Sequence, residues 1–502
     1  MTLRNPTYEQ IMKIASEFGF ALDDCDHGEM MGVVNGMMDS YRRLDGLPNP
    51  YRESKYARTS GYKPEPQDNR LNAWAWRCSA KGRDEGLLKG KTVALKDNIC
   101  MSGIPTMNGT RVLEGFIPRE DATVVTRVLD AGGEIIGKAV CESFCFSGGS
   151  HTSDPLPVLN PHDNSKMAGG SSSGCAALLA AGDVDLALGG DQGGSVRMPG
   201  SWSGVVGLKA THGLVPYTGI FPIEGSLDHV APMARTVSDV ALLLQAVAGP
   251  DGLDPRQVDV TVGDFLGAAD RDCAGLRVAI VKEGFEWEGR SDPAVNALVR
   301  KTADALKELG ATVNEISIPE HKDGVHIWNG IAIEGATAHM VVGNGFAWNR
   351  KGHYDLDLID FYSNARLHNA ADFPMTVKLV ALVGQYLTNQ YGGHYYAKSQ
   401  NLGRQLGGRY DAALADYDVL LMPTTPMTAM GHDVNKGLSG YMEGALGMIH
   451  NTCPFDFTGH PAISVPCGKI DNMPVGLMLV GRRFDEETVI RLARGVEKVT
   501  NG

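Results

Sequence analysis

Apolar residues recur at helical spacing near the N-terminus, where Ile11, Ile14, Ala15 and Phe18 follow Pro6, a residue suited to the first helical position. Gly28, Gly32 and Gly36 then form a flat stripe flanked by Met30, Met31, Val34, Met37 and Met38. Glycine costs about 1 kcal/mol per helical position relative to alanine, so the stripe predicts close packing, against the same chain or a second copy. Residues 46–70, rich in Pro, Tyr, Arg and Lys, read as a linking loop. The expectation is an all-helical N-terminal domain over residues 1–88 that serves dimerisation.

From residue 89 the pattern alternates between strand and helix. A strand is predicted at 92–95, a helix capped by Asp121 and ended by Gly132-Gly133, and a strand at 134–137. A small-residue helix at 173–181 precedes a strand at 184–188. Further units follow: strand 276–281, helix 292–309 and strand 312–318, then strands at 419–422 and 475–480, the last leading to a helix that Asp485 caps. Repeated units of this kind predict an α/β fold, a mostly parallel mixed sheet with helices on both faces. Residues 319–400, rich in Tyr, His, Asn and Gly, break the rhythm. They are expected to be an inserted subdomain lining a substrate cleft, which leaves 89–318 and 401–502 as the catalytic core.

Composition narrows the partners. With 46 basic and 59 acidic side chains the formal charge is −13, which argues against nucleic acid. Apolar runs fall far short of the roughly 20 residues that a membrane span needs, so no membrane is expected, and the N-terminus shows no apolar leader. The nine cysteines, Cys25 among them, are scattered, and Cys141 and Cys145 have no second close pair to complete a zinc site. A cytoplasmic setting follows. The histidines lack ligand spacing, so no metal is assigned. Glycine is abundant, 62 of 502 residues, and punctuates apolar segments, as tight turns and close backbone approaches require.

Those glycines concentrate where polar side chains do. Gly170-Ser-Ser-Ser-Gly174 fits a G-x-S-x-G nucleophile elbow centred on Ser172, but the polar loop before it cannot be the strand that such an elbow needs. The second cluster is more telling. A strand runs into Gly189-Gly-Asp-Gln-Gly-Gly194, and Ser195 follows, with Pro199 limiting any helix there to a short turn. Successive N–H groups in such a loop can form an anion-binding nest or oxyanion hole, beside which a serine is placed as a nucleophile. No Lys-Ser/Thr pair marks a phosphate loop, so a nucleotide is not expected. A serine nucleophile needs a base, and Lys96 ends an apolar strand that would carry it to the sheet edge where ligands bind. Arg197 reads as a brace for the loop.

Lys96-Asp-Asn, Gly169-Gly-Ser171-Ser-Ser-Gly174 and Gly193-Gly-Ser195 together resemble the amidase signature family. The separations of 75 residues from Lys96 to Ser171, and of 24 from Ser171 to Ser195, are those of that family. Asn160-Pro-His-Asp, Gly204-Val-Val-Gly-Leu-Lys209 and Asp228-His-Val-Ala-Pro232 are further landmarks. The resemblance implies a catalytic triad in which Ser195 attacks an amide carbonyl, Ser171, on a cis peptide, relays the proton, and Lys96 is the base. It also implies that backbone N–H groups of Gln192, Gly193, Gly194 and Ser195 hold the oxyanion, and that no cofactor is required.

The helical N-terminal region and Gly190-Asp-Gln-Gly-Gly-Ser195 look like the homodimeric bacterial enantioselective amidases that accompany nitrile-degrading enzymes. That likeness implies hydrolysis of a small aliphatic or aromatic monoamide to acid and ammonia. Many relatives have Thr where Gln192 stands. Phe146 and Ser147 lie where family members contact substrate, and Trp328 and Ile449 are candidate apolar walls. The alternative is the catalytic subunit of a glutamine-dependent tRNA amidotransferase, against which the long helical region before Lys96 counts.

Overall fold

The structure, a computed structural model, describes residues 3–22, 26–346 and 351–501. The chain forms two compact units, Met1–Arg52 and Glu53–Gly502. The first holds helices Tyr8–Phe18 and His27–Asp45, joined by a Tyr8 Oη to His27 Nε2 contact of 2.9 Å. Thr7, not Pro6, caps the first helix, in a reciprocal capping box with Gln10. Ala15 is the one fully buried side chain among this unit's described residues.

The second unit is built on an eleven-stranded sheet: β1 (Trp74–Lys81), β2 (Thr92–Lys96), β3 (Glu134–Ala139), β4 (Leu186–Asp191), β5 (Val206–Lys209), β6 (His229–Ala234), β7 (Arg277–Val281), β8 (Thr312–Ile316), β9 (Val419–Pro423), β10 (Ala462–Ile470) and β11 (Met473–Val480). Their order is β1-β3-β2-β4-β6-β5-β10-β11-β9-β7-β8. The mixed sheet is as expected, but it is not mostly parallel. Parallel pairing is confined to the wings, β3-β2-β4 and β9-β7-β8, and the middle is antiparallel.

Helices cover both faces, and the side-chain alternation of the strands shows it. Val93 and Leu95 of β2, with Leu186 and Leu188 of β4, enter one core together with the helix Val237–Val247. Ala94 and Ala187, the intervening residues, enter the other with the helix Ser173–Ala181. That helix is apolar on every side, as a helix packed all round must be. All eight described cysteines are buried and free; Cys25 lies outside the described residues.

Three expectations are corrected here. The helical region does not reach residue 88, because Trp74–Lys81 is a strand antiparallel to β3, with Trp74, Cys78 and Ala80 buried at the even spacing of a strand. Asp121 does not cap a helix: the N-cap is Ala122, and Asp121 instead accepts the Ser102 N–H and pairs with Arg58. Residues 319–400 are helical, but they belong to the same compact unit as the sheet, and the helix His394–Asp416 runs straight through the boundary expected at 400.

Beside the site, Lys138 of β3 pairs with Asp97 at 3.0 Å, both fully out of solvent. Removing one partner strands a buried charge, so Lys138→Met should destabilise the chain by about 3–5 kcal/mol, read as a shift of the urea midpoint at unchanged slope.

Candidate active site

Parallel pairing of β2 with β4, in register at Leu95 and Leu188, brings the ends of both strands to one edge of the sheet. Lys96 is the last residue of β2, and β4 extends to Asp191, two glycines beyond its apolar run. The first of those glycines is needed there. A Cβ on Gly189 would lie 2.7 Å from Ser172 Oγ, so the strand leaves room for the serine loop to cross it.

Lys96 is wholly buried, and its Nζ lies 2.7 Å from Ser171 Oγ and 3.2 Å from Gly190 O, both uncharged partners. The Gly170–Ser171 peptide is cis. Ser172 serves the backbone: its Oγ donates to Gly190 O and accepts the Gly190 N–H, and its own N–H donates to Ser195 O at 3.1 Å. The serine loop and the strand end are thereby stitched together. Glu142, which sequence reasoning passed over, staples the adjoining loop. Its carboxylate accepts from Ser150 N, Thr152 N and Oγ1, and Ser153 Oγ, and its N–H donates to Ser171 O.

The glycine loop is oriented from beneath by buried charge. Arg197 grips Asp191 through two contacts, of 3.0 and 2.9 Å, and Asp456 through a third of 2.8 Å, with no exposure of any of the three. Burial works to raise the Asp191 carboxyl, but the Arg197 charge prevails and holds it well below the usual carboxylate range. Burial and the neighbouring Asp191 push the Asp456 carboxyl the other way. Lys209, desolvated nearby, is drawn down to about 8. Arg197 is thus the brace that its position suggested, set in a helix Arg197–Ser203 whose first turn accommodates Pro199.

Asp191 also takes two N–H groups of the loop, from Gly194 at 2.6 Å and Val196 at 3.2 Å. This corrects the expectation of four oxyanion donors, since the Gly194 N–H is spent on a carboxylate. Among the described residues, the N–H groups of Gln192, Gly193 and Ser195 have no protein acceptor. The loop's carbonyls are tied on other sides: Trp328 Nε1 donates to Gln192 O at 2.7 Å and Thr452 Oγ1 to Gly193 O at 2.6 Å. Gly193 packs closely here, since a Cβ would lie 3.0 Å from the Trp328 ring and press on it.

Above the loop is a cavity lined by Ser195, Gln192 and Gly193 together with Phe146, Ser147, Met198, Trp328 and Ile449. The four residues singled out as substrate contacts, Phe146, Ser147, Trp328 and Ile449, therefore line the same cavity as the serine. Ile223, Leu227, Ala332 and Leu446 complete the lining and carried no signal in the sequence. The lining holds no Asp, Glu, Lys, Arg or His. Cys145 also faces the cavity. Burial raises its thiol, but a hydrogen bond with Cys141 and the nearby Lys96 outweigh this and bring it down to about 7. Among the described residues, no cluster of His, Cys, Asp or Glu could hold a metal ion, and no helix is long and apolar enough to cross a membrane.

Residues 63–490 match the Amidase family. An enantioselective amidase of Rhodococcus rhodochrous is 48% identical over 465 residues, 89% of each chain. The A subunit of the glutamyl-tRNA(Gln) amidotransferase of Exiguobacterium sibiricum is 37% identical over 83% of this chain and 85% of its own. The crystal structure of its counterpart from Thermotoga maritima superimposes with a TM-score of 0.71 at 32% identity, covering 86% of this chain and 88% of that one.

The buried histidines make stability depend on pH. Burial lowers His212, His321 and His450 to about 4, from an ordinary value of 6.5. Unfolded, they take up protons near 6.5; folded, they stay neutral until about 4. The contribution is therefore complete above about pH 6.5 and lost as the pH falls toward 4. The urea midpoint should drop steadily between pH 7 and pH 5, and replacing His212 with Gln should flatten that slope.

Proposed function

This chain belongs to the amidase family and is a hydrolase acting on amides, and from that premise we propose that it cleaves small apolar monoamides to a carboxylic acid and ammonia through an acyl-enzyme on Ser195. The observation that carries the choice of substrate is the lining of the cavity, largely apolar and without an Asp, Glu, Lys, Arg or His. An aliphatic or aromatic acyl group gains by burial there. The α-ammonium and α-carboxylate of glutamine would be desolvated without a partner, which counts against the amidotransferase reading despite the relative of that kind.

In this reading Ser195 Oγ attacks the carbonyl carbon while its proton passes to Ser171 Oγ and the Ser171 proton to Lys96 Nζ. The N–H groups of Gln192, Gly193 and Ser195 receive the oxyanion. The proton returns along the same relay to the amide nitrogen, the C–N bond breaks and ammonia leaves. Water then gives its proton to the relay, attacks the ester carbon and releases the acid. Support comes from the Lys96–Ser171 contact and the three unengaged N–H groups. We further infer a cytoplasmic homodimer, formed through the helical unit Met1–Arg52 and acting on amides that arise by nitrile hydration. The likeness to the Rhodococcus enzyme and the helices' outward apolar side chains, Phe18, Val33 and Met37 among them, support this.

Ammonia release from propionamide, benzamide, 2-phenylpropionamide and glutamine tests the proposal. The expected result is turnover of monoamides and none of glutamine; activity on glutamine alone would transfer the chain to the amidotransferase reading. Ser195→Ala and Lys96→Ala should each lower kcat by about a thousandfold or more with the fold intact, and Ser171→Ala should be severely impaired. Near-normal turnover in any one of them would break the relay. Light scattering of the full chain should give twice the monomer mass.

A further inference from the structure

The side chain of Gln192 is almost wholly buried, 3% exposed, and lines the cavity beside Ser195. Its Nε2 donates to Tyr217 Oη at 2.9 Å. Proton accounting fixes the orientation of that amide. A phenol has one proton to give, and Tyr217 gives it to Phe221 O at 3.2 Å, a carbonyl that can only accept. Burial keeps the phenol protonated, and the Asp228 carboxylate beside it is a second acceptor for that one proton. Asn98 Nδ2 approaches the same oxygen at 3.5 Å as a second donor. Toward Gln192, then, the Tyr217 oxygen is an acceptor, and the amide must present its nitrogen to it.

Tyr217 is itself immobilised. Its N–H donates to Asp254 Oδ2 at 2.9 Å, and the Arg256 guanidinium lies 4.8 Å over its ring. The opposite end of the Gln192 amide is left with a consequence: Oε1 is buried and has no donor among the described residues. Folded proteins seldom leave a buried carbonyl oxygen unpaired, and where they do the missing donor comes from water or a ligand. The cavity that Gln192 lines receives a substrate whose defining group carries two N–H bonds.

We propose that Gln192 Oε1 accepts a hydrogen bond from the NH2 of the substrate, so that this side chain, held by Tyr217, selects unsubstituted carboxamides over carbonyl compounds of the same shape that lack a donor. The inference rests on the reading above, in which Ser195 attacks within this cavity. A site built to pair a substrate N–H discriminates against the analogue without it more sharply than an apolar pocket discriminates by size.

Two isosteric pairs test it on the full-length enzyme: benzamide with acetophenone, and propionamide with butan-2-one, in which a methyl replaces the NH2. KM and kcat for the amide are measured by ammonia release, and Ki for the ketone by competitive inhibition, in wild type, Gln192→Met and Tyr217→Phe, using the pair whose amide turns over faster. In the wild type the amide should be favoured by about tenfold or more. Gln192→Met should shrink that ratio to about threefold or less by raising KM for the amide while the ketone's Ki holds, and Tyr217→Phe, which frees the amide to rotate, should shrink it in the same direction. A ratio unchanged in Gln192→Met, whether both ligands weaken together or neither does, overturns the inference. A wild type that hydrolyses neither amide defeats the functional reading itself, which keeps the two failures apart.

Discussion

Arg197 carries a permanent charge into the interior, and two carboxylates from distant parts of the chain meet it there: Asp191 at the end of β4 and Asp456 in the turn Pro454–Phe457. Buried ion clusters seldom improve stability over apolar packing of equal volume, because desolvation offsets the attraction. Here the cluster gives direction. With two contacts to Arg197, Asp191 has fixed lone pairs left over, and these take the Gly194 and Val196 N–H groups. The N–H groups of Gln192, Gly193 and Ser195 are left without a protein acceptor among the described residues.

The sheet contributes the other half of the arrangement. Parallel wings deliver two strand ends to one edge, so Lys96 and the glycine loop meet without a long connection. The antiparallel middle lets β10 and β11 return, with the segment 449–457 entering the site between β9 and β10. Lys96 thus stands at a strand end, while the residues that line the cavity come from loops and from helices such as Gly324–Ala336.

Lys96, Ser171 and Ser195 stood out as candidates because their motifs, 75 and 24 residues apart, resemble those of the amidase signature family. The pocket was partly so: Phe146 and Ser147 adjoin the Ser147-Gly-Gly-Ser150 loop, but Ile223, Leu227 and Leu446 are apolar residues in turns or at a helix end, with nothing local to mark them. β1 was absorbed into the helical region because its alternation, Arg77, Ser79 and Lys81 against Trp76, Cys78 and Ala80, is short and gains its meaning only with β3 beside it. The Gly194 N–H was assigned to the oxyanion because the direction of a backbone N–H depends on where the Asp191 carboxylate lies, and that depends on Asp456, some 265 residues away.

Trp328 is both a wall of the cavity and the donor that fastens Gln192 O, with its ring against Gly193. A protein engineer widening this enzyme for bulkier acyl groups would find the most obvious obstacle to be a tie rod of the catalytic loop. Trimming it would trade room for alignment. Ile449, Leu446 and Ile223, which touch the cavity without anchoring the Gln192 or Gly193 carbonyls, are the places where scope can change while the chemistry stays put.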